Sequence, residues 1–236
     1  MMDNLPAFWV VIPAAGIGSR MRADRPKQYL QVAGRTILEH SLSGFLDHPH
    51  LRGLVLALAA DDPWWPTLAC AADARIQRVR GGAERADSVL AGLDYLAGIG
   101  APAEGWVLVH DAARPNLARS DLDKLLHSLA DDPVGGLLAV PARDTLKRAG
   151  ADGRVCATVD RSVIWQAYTP QMFRLGALRK ALAEALAAGV AITDEASAME
   201  WAGQAPLLIE GRADNLKVTR PEDLEWLRQR WALRDA

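Results

Sequence analysis

The stretch 9-WVVIPAAGIGSRM-21 decides how the rest of the chain is read. Trp9 to Ile12 is a short apolar run closed by Pro13. It passes directly into AAGIGSRM, the pattern of a buried strand entering a glycine loop. Gly16 and Gly18 let backbone N–H groups come close to phosphate oxygens, so the loop is a candidate phosphate cradle. Two familiar alternatives do not fit. A dinucleotide fingerprint requires a third glycine where Met21 stands, and a Walker loop requires GK[ST] where Gly18 is followed by Ser19.

Working outward, comparable apolar runs recur at 53-GLVLALA-59, 76-IQRV-79, 105-GWVLVHD-111, 135-GGLLAVP-141 and 205-APLLIEG-211. Between them, 36-TILEHSLSGFL-46, 85-RADSVLAGLDYLAG-98 and 119-RSDLDKLLHSLA-130 space apolar residues by three and four, as helices do. Alternating helices and near-continuous apolar strands predict an α/β fold, with a mostly parallel Rossmann-like sheet covered on both faces. Ligands of such sheets bind beyond the carboxyl ends of the strands. The rhythm breaks at 142-ARDTLKRAGADGRVCATVDRSVIWQAYTPQ-171, where polar and apolar residues alternate around the turn-prone 149-AGADG-153. A long hairpin over 142–171 is predicted. Carrying only Leu146, Val155, Val159 and Trp165, it buries little by itself and is expected to reach onto a partner subunit. Helices return at 176–189, at 194–203 with Thr193 as N-cap, and at 221–231 with Pro221 in the first position.

The 236 residues, half of them hydrophobic, suffice for one sizeable core, and no repeat or linker suggests more than a single domain over 1–236. The 27 basic and 29 acidic residues give a net charge of −2, which excludes a global field for nucleic acid or a membrane surface. The apolar run FWVVIPAA is too short to span a bilayer and no basic segment precedes it, so a cytoplasmic location is expected. Cys70 and Cys156 stand far apart without a metal-binding pattern, and both read as reduced thiols.

Local charge gathers around the loop. Arg20 lies inside it and Lys27, in 26-PKQYL-30, shortly beyond, although exposed cations of this kind are often merely solvated. In 108-LVHDAARP-115, Asp111 follows directly on a strand and suits a hard cation such as Mg2+, which takes one or two carboxylates plus phosphate oxygens. His110 beside it reads as structural.

The motifs PAAGIGSRM, PKQYL, TILEHS, GGAERADSVLAGL, VLVHDAARP, TVDRS, TPQ, ITDEASA and EGRADNLKVTRPEDL resemble, in order and over nearly the whole chain, those of the methylerythritol phosphate cytidylyltransferases. The first motif is shared by many nucleotidyltransferases. VHDAARP, TDEAS and NLKVTRPEDL together are specific to this family and its nearest relatives.

The resemblance implies a homodimer of nucleotidyltransferase fold with a swapped hairpin arm. It also implies transfer of CMP from CTP to methylerythritol phosphate with Mg2+. It implies a CTP site at Ala14, Ala15, Gly16, Gly18, Arg20 and Lys27, with Gly82, Ala83 and Ser88 around the base. Asp111 is then the magnesium ligand, and Lys217 joins Arg20 and Lys27 as a catalytic cation. The acceptor site takes Arg114 and Thr193, with Thr169 beside them, and Thr145 and Arg161 from the partner's arm. Each residue also has a plainer reading: Thr193 as a cap, Ser88 bonded within its helix, Thr145 as an ordinary strand residue. Ala83 departs from relatives in which an aspartate stands, so only a backbone contact would survive there. A ribitol 5-phosphate cytidylyltransferase, or a catalytically silent nucleotide-binding protein on the same fold, would share most of these motifs.

Overall fold

The computed structural model describes residues 5–16, 21 and 24–232. Its strands are β1 (Phe8–Pro13), β2 (Gln31–Val32), β3 (Arg35–Thr36), β4 (Leu51–Leu58), β5 (Ile76–Arg80), β6 (Trp106–Val109), β7 (Gly135–Pro141), β8 (Leu146–Ala149), β9 (Val155–Val159), β10 (Trp165–Arg174) and β11 (Leu207–Glu210). The helices are α1 (Ile37–Leu46), α2 (Arg85–Gly98), α3 (Arg119–Leu129), α4 (Leu175–Ala187), α5 (Glu195–Trp201) and α6 (Pro221–Ala232). Seven strands form one sheet in the order β11-β7-β10-β6-β1-β4-β5. All neighbours in it are parallel except β10, which runs antiparallel to both β6 and β7.

The apolar run of β1 is continuous because both of its faces are covered. Phe8, Val10 and Ile12 pack with Leu38, Leu42 and Phe45 of α1 and Leu122, Leu125 and Leu126 of α3. Val11 packs on the other face with Val89 and Leu93 of α2 and Leu178 and Leu182 of α4. A third, smaller cluster joins α6, through Leu224, Leu227 and Trp231, to Val32, Ile37, Ala113 and Val218. It clamps the segment after β11 onto the loop after β6. The chain runs outward from β1 through β4 to β5 and then returns to β6 on the other side of β1. The strand order therefore reverses between β1 and β6, which is where an open α/β sheet leaves a crevice at its carboxyl edge.

Two expectations are corrected. The arm is shorter than 142–171: β8 and β9 pair from Leu146↔Val159 to Ala149↔Val155, but Trp165 onward belongs to the central sheet as β10. Alternation continued across both segments in the sequence, while burial of Tyr168, Met172 and Phe173 fixes the second as core. The N-cap of α5 is Asp194, not Thr193. Asp194 is the extended residue and its side chain accepts the Ser197 N–H at 2.9 Å, whereas Thr193 is exposed one position earlier.

Gly92 sets how closely α2 approaches the sheet, since a Cβ there would lie 2.5 Å from Val11 Cγ1, whereas one at Gly98 in the same helix would meet no atom within 4 Å. Gly92→Ala is expected to lower stability in urea unfolding, because overpacking costs about 1–3 kcal/mol and outweighs the roughly 1 kcal/mol of helix propensity gained. Gly98→Ala should raise stability by up to about 1 kcal/mol.

Candidate active site

A cleft of about 340 Å³ opens at the β1–β6 crevice, a volume suited to a small-molecule ligand. One wall is the start of the glycine loop, Ala14, Ala15 and Gly16, where the chain leaves β1 after a last sheet bond from Ala14 N to Ala57 O at 2.8 Å. Gly18 and Arg20 lie outside the described residues. A second wall is the turn from β5 into α2. A Cβ at Gly81 would stand 2.5 Å from that of Ala15, so glycine lets this turn press against the loop. The Ser88 hydroxyl accepts the Gly82 N–H at 3.1 Å and donates to the Glu84 carbonyl at 3.2 Å. Ser88 thus bonds within its own helix and also fixes the orientation of Gly82. Ala83 lines the same wall and is exposed.

The floor is Asp111. Its Oδ1 accepts from Arg85 Nε at 3.1 Å, and its Oδ2 meets Arg114 Nε at 3.3 Å and Lys217 Nζ at 2.9 Å. Burial pushes this carboxyl upward, but Arg85, Lys217 and Arg114 together outweigh it and hold the group far below the usual carboxylate range. It is therefore ionised at any physiological pH.

Two of these cations are anchored elsewhere. Arg85 forks onto Glu195 at 2.6 and 3.1 Å. Arg114 donates to the Asn215 carbonyl at 2.7 Å and lies over the Tyr168 ring, 4.5 Å from its centroid. Lys217 differs: its side chain is 37 % exposed, and among the described residues its ammonium has Asp111 alone as partner.

Lys217 is carried on a segment without regular structure that is stitched to the loop after β6 and to β10. Asn116 donates to the Asp214 carbonyl, Asn215 to the Thr169 carbonyl, and Val218 N to the Ala113 carbonyl, at 2.7, 2.9 and 2.8 Å. Lys27, in a 3-10 turn over Lys27–Tyr29, comes to the same side of the cleft with Nζ donating to the Val218 carbonyl at 2.9 Å. Lys27 and Lys217, far apart in the chain, thereby both line the one cleft, Lys217 on Asp111 and Lys27 on the adjoining Val218 carbonyl.

His110 is fully buried, and burial pushes its imidazole down to about 4, so it is neutral. Nε2 faces the Arg114 carbonyl at 3.0 Å and must carry the proton, which leaves Nδ1 to accept from the Thr169 hydroxyl at 3.0 Å. That hydroxyl in turn accepts the Asp111 N–H at 3.1 Å. His110 and Thr169 therefore hold Asp111 from beneath and do not face the cleft. Thr145 and Arg161 flank the open end of the arm, because Leu146 pairs with Val159, and neither lines the cleft of its own chain. Arg161 donates to the Arg143 carbonyl. Thr193 is exposed just ahead of α5.

Arg85, Glu195 and Gln28 were not singled out by sequence reasoning. All three lie inside recognised motifs, yet nothing in their local spacing marks a surface-type residue as buried and paired across the fold.

The whole arrangement has relatives. The family model described as IspD, 2-C-methyl-D-erythritol 4-phosphate cytidylyltransferase, matches residues 8–229. A 2-C-methyl-D-erythritol 4-phosphate cytidylyltransferase of Pseudomonas fluorescens Pf-5 is 76% identical over 234 residues, covering 99% of this chain and 100% of its own. That of Pseudomonas entomophila L48 is 75% identical over 232 residues, 98% of this chain and 99% of its own. Among solved structures, a 4-diphosphocytidyl-2C-methyl-D-erythritol synthase superposes with a TM-score of 0.83 at 40% identity, over 96% of this chain and 99% of that one. The Francisella tularensis 2-C-methyl-D-erythritol 4-phosphate cytidylyltransferase gives 0.80 at 35%, over 95% and 99%. The cleft is thus set in a nucleotidyltransferase fold, and the chain belongs to the 2-C-methyl-D-erythritol 4-phosphate cytidylyltransferase family.

Proposed function

We propose that this protein transfers CMP from CTP to 2-C-methyl-D-erythritol 4-phosphate in isoprenoid precursor synthesis. Beside family membership, one observation carries the reading: Lys27 and Lys217 converge on the same side of a cleft floored by the ionised Asp111 and walled by the glycine loop. An oxygen of the acceptor phosphate attacks the α-phosphorus of CTP, and the bond to the β-phosphate breaks. Its electron pair leaves with pyrophosphate, and the new phosphoanhydride is that of 4-diphosphocytidyl-2-C-methyl-D-erythritol. The nucleophile is already anionic, so no proton needs to be removed and no covalent enzyme intermediate forms. The barrier lies in bringing two polyanions together.

Lys27 and Lys217 supply positive charge where the five-coordinate phosphorus develops its negative charge, with Arg20 assigned to the same task by resemblance. Asp111 is the residue that would hold Mg2+. The donor set fits, because the ionised Asp111 carboxylate floors the cleft and its Oδ2 is shared with the partly exposed Lys217, the partner able to move onto phosphate oxygens. When bound, Mg2+ supplies charge neutralisation on the triphosphate. Gly82, Ala83 and Ser88 face the base, the first two through backbone groups.

The same reading makes the protein a cytoplasmic homodimer whose arm completes the partner's acceptor site. Thr145 and Arg161 flank the arm's open end, outside the lining of their own cleft, and Val155 and Val163 are 65% and 72% exposed. No described helix is long and apolar enough to cross a membrane. The deciding experiment is pyrophosphate release from CTP with each polyol phosphate in turn. Release with methylerythritol phosphate supports the assignment. Release with ribitol 5-phosphate alone replaces it, and release with neither identifies a silent nucleotide-binding protein.

Lys27→Ala and Lys217→Ala should each lower the single-turnover rate at saturating CTP by two orders of magnitude or more, since losing one preorganised donor costs about 3–4 kcal/mol. Asp111 keeps Arg85 and Arg114 when Lys217 is removed, so both variants should fold. A loss below about threefold in both would refute their role. CTP should be strongly preferred to UTP, because groups that pair with cytosine are left unpaired by uracil. Comparable kcat/KM values would remove Gly82, Ala83 and Ser88 from base reading. Co-refolding Lys27→Ala with Arg161→Ala chains should restore roughly a quarter of the sites, because about half the dimers are mixed and one site in each is intact. Activity no higher than the mean of the two parents would show that the arm serves its own subunit.

A further inference from the structure

We propose that Gln28, between Lys27 and Tyr29, is the positioning residue of the phosphate cradle, holding the backbone at the start of the loop, Ala14 to Gly16, in the orientation that meets the triphosphate. This rests on the CTP-dependent activity proposed above. Gln28 is 3% exposed, and its side-chain Nε2 donates to the Ala14 carbonyl at 2.7 Å and to the Gly16 carbonyl at 3.2 Å. In a trans peptide the C=O and the following N–H point in opposite directions. Turning the Ala14 carbonyl onto Gln28 therefore turns the Ala15 N–H away from it, toward the cleft that Ala15 lines. Among the described residues nothing accepts from the Ala15 or Gly16 N–H, and a Cβ at Gly16 would meet no atom within 4 Å. The Ala15 amide, turned from Gln28 and with no acceptor among the described residues, is the one this grip presents to the cleft, the condition under which a cradle binds anions without reorganising.

The residue type follows from the task. Two carbonyls need two donors from one short, neutral group, and a primary amide supplies both N–H bonds from a single nitrogen. A carboxylate there would repel both carbonyls and the triphosphate, and an apolar side chain of the same length would leave the peptide planes unfixed. The placement also couples two parts of the machinery. The turn that carries Gln28 carries Lys27, whose Nζ reaches the Val218 carbonyl at 2.9 Å, and it is anchored on its far side by Tyr29 Oη donating to Asp62 Oδ2 at 2.8 Å. Gln28 thus sets the separation between the Lys27 ammonium and the cradle amides, which must meet the same triphosphate together.

The test compares Gln28→Met, which keeps length and removes the donors, with Tyr29→Phe, which loosens the same turn without touching the loop. Titration of the folded proteins with inorganic tripolyphosphate measures the cradle directly, and steady-state kinetics separate KM for CTP from KM for the acceptor. Gln28→Met should weaken tripolyphosphate binding at least tenfold and raise KM for CTP similarly, while KM for the acceptor stays within twofold. Tyr29→Phe should lower the unfolding midpoint and leave tripolyphosphate binding within twofold. If Gln28→Met does not fold, Gln28→Asn, one methylene too short to hold both carbonyls, should show a smaller loss of the same kind. Tripolyphosphate binding within twofold of wild type in a folded Gln28 variant would overturn the proposal. So would equal losses in Gln28→Met and Tyr29→Phe, or a parallel rise in both KM values. Wild-type protein that bound neither CTP nor tripolyphosphate would overturn it together with the activity on which it rests.

Discussion

A carboxylate taken out of water at the end of β6 must be compensated, and the way Asp111 is compensated organises everything around it. An isolated buried charge costs several kcal/mol, and only close, well-directed cations offset that. The three that do so come from different parts of the chain: Arg85 from the first turn of α2, Arg114 from the loop after β6, and Lys217 from the segment between β11 and α6. Each brings its own attachments. Arg85 draws in Glu195 and with it the start of α5, and Arg114 draws in Asn215 and Tyr168. One ion thereby ties together four stretches that local sequence would leave independent.

The cations are not equivalent in how firmly they are held. Arg85 and Arg114 have second anchors and are largely shielded, so they form the permanent part of the network. Lys217 has Asp111 alone among the described residues and remains partly exposed, which makes it the member that exchanges at least cost. Its ammonium is thereby held against the cleft carboxylate by the least anchored of the three contacts. The net charge of −2 hides this, because these cations act locally, at the wall and floor of one cleft. Beneath it, the neutral His110 and the Thr169 hydroxyl satisfy the buried groups around Asp111 without adding charge. That is why a histidine adjacent to the site has a supporting place and no acid–base one.

Topology explains why these groups meet where they do. The reversal of strand order between β1 and β6 opens the crevice, and the glycine loop and Asp111 follow directly on those two strands. The antiparallel β10 brings Thr169 to the same edge, and α6 presses the Lys217 segment down through Val218 and Leu224. The arm stands apart from this core, with Val155 and Val163 open to solvent.

What the sequence by itself determined is whatever short-range pattern controls. The α/β class, the 85–98 helix, the 135–141 strand and the glycine loop after β1 are all legible, because burial periodicity and turn chemistry act over a few neighbouring residues. So is Asp111, whose place is set by the strand it follows. The 142–171 segment misled at its far end, since alternation is the same for a free hairpin and for a strand that burial later claims. Thr193 misled by one position, because Thr193 and Asp194 are both competent caps and only backbone geometry chooses. The tertiary structure alone decided the pairing of Arg85 with Asp111 and Glu195, the meeting of Lys27 with the Val218 carbonyl, and the grip of Gln28 on the loop. In sequence these are ordinary polar residues. Their chemistry arises from burial and from partners as many as 191 positions away, quantities that no local window contains.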